Sequence, residues 1–580
     1  MREQPNINAL WGALIVEELI RQGVEGFVIA PGSRSAPLVS AVGRSRAART
    51  IWLDERGAAF HALGLARGSG RPAAVITTSG TAVANLLPAV VEAAMDGVPL
   101  ILLTADRPPE LRDVGANQTI EQRGIFGGYL RWSFDLPCPD DRLPARMVLT
   151  AVDEAVRRAL RDPGPVQLNC PFREPLAPEP AAWDDACLEG TSSWQASTAP
   201  FTRLEQGPGE PDAAAVEEVA ATLAAAGEGL LLTGAAAWDD RGPVQKLADT
   251  LGWAWLTDVR SQLRLGTAAP VHLPHLDRWF AAEPERWRPD VVLQLGASLT
   301  SKRLQTSLDR GDAAHHILID ARARRLDPGH RVTRRIDGAL GPWCRALAEA
   351  VADRAQPADI DRLRAVHGRI ETAMEDAIDA GGALTEPWAA RWLTRHMRPD
   401  HALFLSSSLP VREVDDYGAL DGPPLRVAAN RGASGIDGVV ATAAGFARGS
   451  GRPCTLLIGD LALLHDLNAL AMLTEDIPLL TIVVLNNGGG GIFAFLPIAE
   501  HDDVFSPLFD TPHEFRFDGV CRSFGLHYAR VEMRSELEEA YTAALAEGAH
   551  AVIEVASSMR ANREAHRRIE AALREALTDA

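Results

Sequence analysis

Ala66-Arg67-Gly68-Ser69-Gly70-Arg71-Pro72 recurs without change as Ala447-Arg448-Gly449-Ser450-Gly451-Arg452-Pro453, 381 residues further along the chain. Each copy closes a helical stretch, with Ala-Leu-Gly-Leu at 62–65 and Ala-Ala-Gly-Phe at 443–446, and each is followed by a strand, a helix and a second strand. Chance reuse of a glycine-rich turn would not reproduce that order of elements. The first and last parts of the chain therefore read as two copies of one α/β module.

Outward from the repeat, short apolar runs alternate with longer helical patterns: GFVIA at 26–30, a helix from Pro37, AAVIT at 73–77, a helix through Ala82 to Met95, and LILLT at 100–104. This alternation is the grammar of a parallel sheet covered on both faces. It returns as GLLLTG at 229–234, VVLQLG at 291–296 and HILID at 316–320, and again as ALFLS, LRVAA, TLLIG and LLTIVVL. Residues 174–213, rich in Pro, Glu, Ser and Ala, read as a linker, and about 355–385 reads as charged and helical. The expectation is three open parallel-sheet α/β domains, the first at 1–190, a central Rossmann-like one at 205–350 and the third at 365–580, with the first and third duplicated.

Composition bounds the function. The 580 residues are 46% hydrophobic and 23% charged with a mean hydropathy of −0.05, which excludes a disordered or collagen-like chain. A net charge of −19 argues against a general nucleic-acid or anionic-membrane binder. No apolar run is long enough to span a bilayer, and Glu17 and Glu18 interrupt the amino-terminal run, so neither a membrane span nor a signal peptide is expected. Six cysteines without a C-x-x-C pair indicate neither a disulfide framework nor a zinc site, and a cytoplasmic location is expected. Of 58 cationic side chains only Lys246 and Lys302 are lysines, so a lysine that persists draws notice; Lys246, in an ordinary helical pattern, shows that one can persist by chance.

The candidate site lies in the third domain. TLLIG ends in Gly459-Asp460, and 27 residues beyond Asp460, LLTIVVL ends in Asn486-Asn487 before Gly488 to Gly491. In an open parallel sheet both strand ends lie on the carboxyl edge, where ligands bind. Asp and Asn oxygens suit a hard cation such as Mg²⁺ that bridges to phosphate, and glycines let backbone groups approach a diphosphate. Each half alone is weak, since an Asp at a strand end is most often a helix cap.

Together, at this spacing, they resemble the thiamine-diphosphate motif Gly-Asp-Gly…Asn-Asn, with Leu461 departing from the third position. The repeat offers a check: shifting Ile436 back by 381 residues lands on Glu55, in Asp54-Glu55-Arg56-Gly57. In thiamine enzymes the two related modules supply these two items, a glutamate for the aminopyrimidine and a bulky aliphatic residue beneath the thiazolium. Read without the family, Glu55 is a favourable carboxylate at a helix amino end.

Further motifs narrow the resemblance. Ala30-Pro31-Gly32-Ser33-Arg34-Ser35, Thr78-Ser79-Gly80-Thr81, Ala105-Asp106-Arg107-Pro108, Asn117-Gln118, Ser301-Lys302-Arg303, Ser408-Leu409 with Arg412, Asn430-Arg431-Gly432 through Gly438, and Gly491-Ile492-Phe493 are similar to those of the 2-succinyl-5-enolpyruvyl-6-hydroxy-3-cyclohexene-1-carboxylate synthase family of menaquinone biosynthesis. Pro410, Gly488 and Gly491 depart from its pattern. The resemblance covers the whole chain, thinly in the middle.

It implies decarboxylation of 2-oxoglutarate and conjugate addition of the resulting carbanion to isochorismate, with Glu55 catalytic. Thiamine diphosphate would touch Pro31, Glu55, Ser408, Leu409 and Ile436 as well as Asp460, Leu461, Asn487, Gly489 and Ile492, while Mg²⁺ or Mn²⁺ would sit on Asp460, Asn487 and Gly489. Substrate contacts would come from Ser33, Arg34, Arg107, Asn117 and Gln118, from Lys302 and Arg303, from Ser408, Arg412 and Arg431, and from Ile492, Phe493 and Leu496. Arginine forks suit the carboxylates of both substrates. In this superfamily the first and third domains that share a cofactor belong to different subunits, which implies a homodimer or tetramer. Another thiamine-diphosphate 2-oxoacid decarboxylase or carboligase is the alternative, and a noncatalytic nucleotide-binding or scaffold protein a third reading. No G-x-G-x-x-G follows the middle strands, and no flavin is expected.

Overall fold

The computed structural model describes residues 1–205, 209–283, 288–297, 299–311, 313–352 and 359–578. Two compact units are present, one comprising 1–205, 430–454 and 462–480, the other 206–429, 455–461 and 481–580.

The first unit is built on a six-stranded sheet: β1 (Gly26–Ile29), β2 (Ala48–Ile51), β3 (Ala73–Thr77), β4 (Leu100–Asp106), β5 (Trp132–Asp135) and β6 (Pro165–Pro171), in the order β2-β1-β3-β4-β6-β5. Its pairings are parallel, and β3 and β4 are buried throughout, which is why their sequences are unbroken apolar runs. The expected single helix through Ala82–Met95 is two, Thr81–Ala84 and Leu87–Asp96, the second restarting with a proline in its first turn.

The presumed linker is not extended chain. Residues 185–188 and 192–195 form short helices, and Trp194 is buried with its indole N–H on the Glu18 carboxylate, which also accepts from the Phe201 amide at 2.6 Å. Composition hid this because one buried tryptophan and one buried glutamate anchor an otherwise polar stretch. Residues 206–208 lie outside the described residues.

The repeat explains the helix packing of the first unit. Helices Glu55–Ser69 and Val439–Ser450 cross at their glycines. A Cβ on Gly64 would stand 2.1 Å from the Thr442 carbonyl oxygen, and one on Gly445 2.1 Å from that of His61. Gly68 would meet the Phe446 oxygen at 2.5 Å and Gly449 the Leu65 oxygen at 2.2 Å. Thr442 and Phe446 lie 381 residues after His61 and Leu65, so the contact is reciprocal. The flanking arginines follow suit: Arg67 donates to Asn430 Oδ1 at 2.7 Å and Arg448 to the Arg49 carbonyl at 3.2 Å.

The second unit holds two sheets. One runs β7 (Gly229–Thr233), β8 (Ala254–Thr257), β9 (Val291–Leu295), β10 (His315–Asp320) and β11 (Arg334–Asp337), in the order β11-β10-β9-β7-β8. The other runs β12 (Ala402–Leu405), β13 (Arg426–Ala429), β14 (Cys454–Gly459), β15 (Leu480–Asn486), β16 (His527–Val531) and β17 (Ala551–Ala556), in the order β13-β12-β14-β15-β17-β16. That is the order of the first sheet, strand for strand. The register of β15, β16 and β17 is parallel, as is that of the middle sheet. All six cysteines are buried and free. Among the described residues no helix is long and apolar enough to cross a membrane.

Candidate active site

At the carboxyl edge of the first sheet, loop 30–35 crosses β3 closely enough that a Cβ on Gly32 would lie 2.3 Å from Thr78. Arg34, 6% exposed, donates to the Phe172 carbonyl at 2.9 Å and lies 3.6 Å from Glu174. Arg107 donates to Ser79 Oγ at 2.7 Å. Ser79 in turn donates to the Gln118 carbonyl at 3.0 Å, and the Gln118 amide donates to the Ser79 carbonyl at 3.1 Å. Burial, and then the neighbouring Arg107 cation, pull Arg34 below the usual arginine range. A desolvated guanidinium with a second cation near enough to repel it suits a carboxylate. Pro31, Ser33 and Asn117 are exposed on the same loops.

Glu55 is the first residue of its helix, capped by Asp54, which accepts from the Arg56 amide at 3.0 Å; the half-buried Glu55 carboxylate accepts from Asn85 Nδ2 at 3.2 Å. Ile436, half-buried, lies in the loop that enters the partner helix of the crossing. The buried Glu92 carboxylate grips that loop, accepting from the amides of Gly432 at 2.8 Å and Ala433 at 2.7 Å. Arg431 is half-buried there.

In the second unit, Asp460 stands where β14 gives way to a short helix. Oδ1 accepts from the Leu461 amide at 2.7 Å, and Oδ2 from Gly488 at 3.0 Å and Gly489 at 3.1 Å, with His513 Nε2 at 3.3 Å. Burial pushes this carboxyl up. Asn487 Nδ2 donates to Glu386 Oε1 at 2.7 Å, while its buried Oδ1 has no hydrogen-bond partner. A buried acceptor without a partner at the end of β15, with an aspartate at the end of the neighbouring β14 that gathers two glycine amides, fits a hard cation.

Around this edge, Ser408 takes a positive φ of 72° at the start of helix Leu409–Tyr417, and Arg412 donates to the Ser408 carbonyl. Leu409 comes within 3.3 Å of a Cβ built on Gly491. Ile492 and Phe493 lie in the short helix Gly491–Phe495, Phe493 edge-on to Phe509, and Leu496 is 45% exposed beyond it.

The cations of the middle domain divide. Lys302 is exposed at the first turn of helix Lys302–Arg310. Arg303 pairs with Asp416 and lies 3.4 Å from Asp277, so its charge is matched within the fold. Sequence reasoning left Ser79 without a role, although it lies in a quoted motif, and missed Glu92, Glu386, His513 and Asn562. The repeat could have found the first, since Ser79 stands 381 residues before Asp460; for the others neither spacing nor a motif gives a signal.

Residues 11–125 match the thiamine pyrophosphate enzyme N-terminal TPP binding domain, 185–405 the middle domain of thiamine pyrophosphate enzymes, and 422–555 their C-terminal TPP binding domain. The three sheets are thus those of a thiamine-pyrophosphate-dependent enzyme. The chain is 49% identical to the 2-succinyl-5-enolpyruvyl-6-hydroxy-3-cyclohexene-1-carboxylate synthase of Rubrobacter xylanophilus, over 97% of this chain and 98% of that one. It is 44% identical to the synthase of the same name from Salinibacter ruber, over 100% and 98%. It is also 39% identical to the chloroplastic protein PHYLLO of Arabidopsis thaliana, over 99% of this chain and 36% of the plant protein. The chain belongs to the 2-succinyl-5-enolpyruvyl-6-hydroxy-3-cyclohexene-1-carboxylate synthase family.

Proposed function

We propose that the protein decarboxylates 2-oxoglutarate and joins the remaining four-carbon unit to isochorismate, forming 2-succinyl-5-enolpyruvyl-6-hydroxy-3-cyclohexene-1-carboxylate in menaquinone biosynthesis. The observation that carries the reading is the orphaned Asn487 Oδ1 beside Asp460. Asp460, Asn487 and the Gly489 carbonyl would hold Mg²⁺ or Mn²⁺, and the cation would hold the diphosphate of the cofactor. Bound thiamine diphosphate supplies a nucleophilic carbon and an electron sink. Glu55 would keep a proton on an aminopyrimidine nitrogen, and Leu409, Ile436 and Ile492 would shape apolar walls that exclude water.

Arg34 and Arg107 support dicarboxylate substrates over pyruvate, because they are neighbouring cations on loops at one sheet edge, Arg107 also holding Ser79. Gln118 locks that serine; Lys302, Arg412 and Arg431 would supply further charge. We read the protein as cytoplasmic, in keeping with its six free, buried cysteines, and as a homodimer or tetramer, as the family resemblance implies.

The test is to incubate metal-depleted protein with 2-oxoglutarate, isochorismate and thiamine diphosphate, with and without Mg²⁺, and to identify the product by mass. A metal-dependent adduct of isochorismate and a succinyl unit is expected. Turnover of pyruvate in preference to 2-oxoglutarate would instead mark another 2-oxoacid decarboxylase or carboligase.

A further inference from the structure

Of two adjacent asparagines at the end of β15, only one offers an oxygen. Asn486 donates from Nδ2 to Glu554 Oε1 at 2.9 Å and to the Phe515 carbonyl at 3.2 Å, and its Oδ1 accepts from the Gly488 amide at 3.2 Å. Both ends of that carboxamide are used within the protein. Asn487 is held at one end only: Nδ2 donates to Glu386 Oε1 at 2.7 Å, and Oδ1 is buried without a partner.

Which end of a carboxamide faces a ligand is set by what the other end bonds. Glu386 is 1% exposed, and its Oε1 also accepts from Asn562 Nδ2 at 2.8 Å. Asn562 closes the arrangement through Oδ1, which accepts from the backbone N–H of Glu386 at 3.0 Å, and its Nδ2 reaches Ser557 at 3.1 Å. The glutamate is therefore fixed at both its backbone and its side chain, on the first turn of helix Glu386–His396. Opposite it, a Cβ on Gly491 would stand 2.5 Å from Asn487 Nδ2, so this glycine leaves the slot in which the amide nitrogen lies.

We propose that Glu386, held by Asn562, is the positioning residue that turns the Asn487 carboxamide so that Oδ1, and not Nδ2, meets the divalent cation. The inference rests on the reading of Asp460 and Asn487 as metal ligands. Glu386 touches neither cation nor substrate; it acts through Asn487, as outer partners commonly orient metal ligands.

The experiment is Mn²⁺ binding followed by electron paramagnetic resonance in the presence of thiamine diphosphate, which reads the cation independently of turnover. Glu386→Leu removes the acceptor and should weaken Mn²⁺ binding about 10- to 100-fold. Glu386→Gln keeps a carbonyl acceptor and should stay within about threefold of the parent, a smaller change than loss of an outer partner gives. The double variant Glu386→Leu/Asn487→Asp carries an oxygen at either end of residue 487, so it should regain most of the lost affinity without restoring the glutamate. Parent-like binding by Glu386→Leu, or a tenfold loss in Glu386→Gln, overturns the proposal. So does failure of the double variant to recover where Glu386→Leu is weak, since that would make Glu386 a support of the fold. If the parent itself binds no Mn²⁺ with thiamine diphosphate, the metal-ligand reading fails instead.

Discussion

Gly64 and Gly445 hold equivalent places on two crossing helices, and each leaves its helix axis no room for a side chain: a Cβ on either would lie 2.1 Å from a carbonyl oxygen of the other helix. Gly64→Ala and Gly445→Ala should each destabilise the protein by about 1–3 kcal/mol or more, the usual cost of overpacking. Gly43→Ala, where a Cβ meets nothing within 4 Å, is the control and should be neutral or slightly stabilising. Urea unfolding of the three variants decides it, and equal midpoints would remove the crossing as a stability determinant.

Glu55→Gln should leave thiamine diphosphate bound and slow the exchange of its thiazolium proton. The amide keeps the shape and the Asn85 contact but no longer stabilises a proton on the aminopyrimidine. Proton exchange followed by NMR is the measurement; an unchanged rate would leave Glu55 as a helix-end carboxylate only.

Arg107→Ala should raise the Michaelis constant for one dicarboxylate substrate and leave thiamine diphosphate affinity nearly unchanged. A charge-assisted hydrogen bond contributes about 1.5–3 kcal/mol, or roughly ten- to a hundred-and-fiftyfold in apparent affinity. Steady-state kinetics with each substrate varied in turn checks this, with cofactor affinity from calorimetry. A parent-like constant for both substrates would leave Arg107 as a tether for Ser79.

Glu18 sets a pH dependence of stability. Burial first, and then the adjacent Asp153, push its carboxyl up from 4.5 to about 8. The native state therefore holds a proton that the unfolded chain releases near the usual carboxylate range, so native stability declines as pH rises from about 4.5 to 8. Glu18→Gln removes that decline while keeping an acceptor for one of the two donors, Trp194 and Phe201, which bond different carboxylate oxygens. Denaturant midpoints of parent and variant at pH 5, 7 and 9 should diverge in favour of the variant as pH rises, and parallel profiles would contradict the assignment.

What could be read from the sequence followed burial. The ten strands expected from apolar runs are present, because nearly all their residues face neighbouring strands or helices on both sides. The strands not foreseen fall into two kinds. β2, β5, β8, β11 and β16 are all at sheet edges, where burial is incomplete for most and the apolar pattern weak. β6 and β17 are interior but carry buried polar groups, Gln167 and Asn169 in one and Glu554 in the other, which break an apolar run while bonding to neighbours.

The site followed a different rule. Asp460 and Asn487 were visible because the chain's local order places them at two adjacent strand ends. Glu386 and Asn562 lie 101 residues before and 75 after Asn487, and only folding brings their amide and carboxylate groups together. Arg303 shows the converse: a cation beside Lys302 in the sequence is met in the fold by Asp416 and Asp277, two carboxylates from distant segments.

The reciprocal helix crossing also limits how far the two halves of the gene can drift apart. Where two side chains touch, a larger residue on one side can be answered by a smaller one on the other. At this crossing that exchange is closed, because Gly64, Gly68, Gly445 and Gly449 have nothing left to give up, and each faces backbone instead of a side chain. Any enlargement must separate the helices and so strain both copies at once. Divergence is thereby arrested from both sides at one place, while the surrounding loops are free to acquire separate chemistries. Seven consecutive identical residues, with Gly64 and Gly445 just before them, lie at that place in two modules that share their strand order.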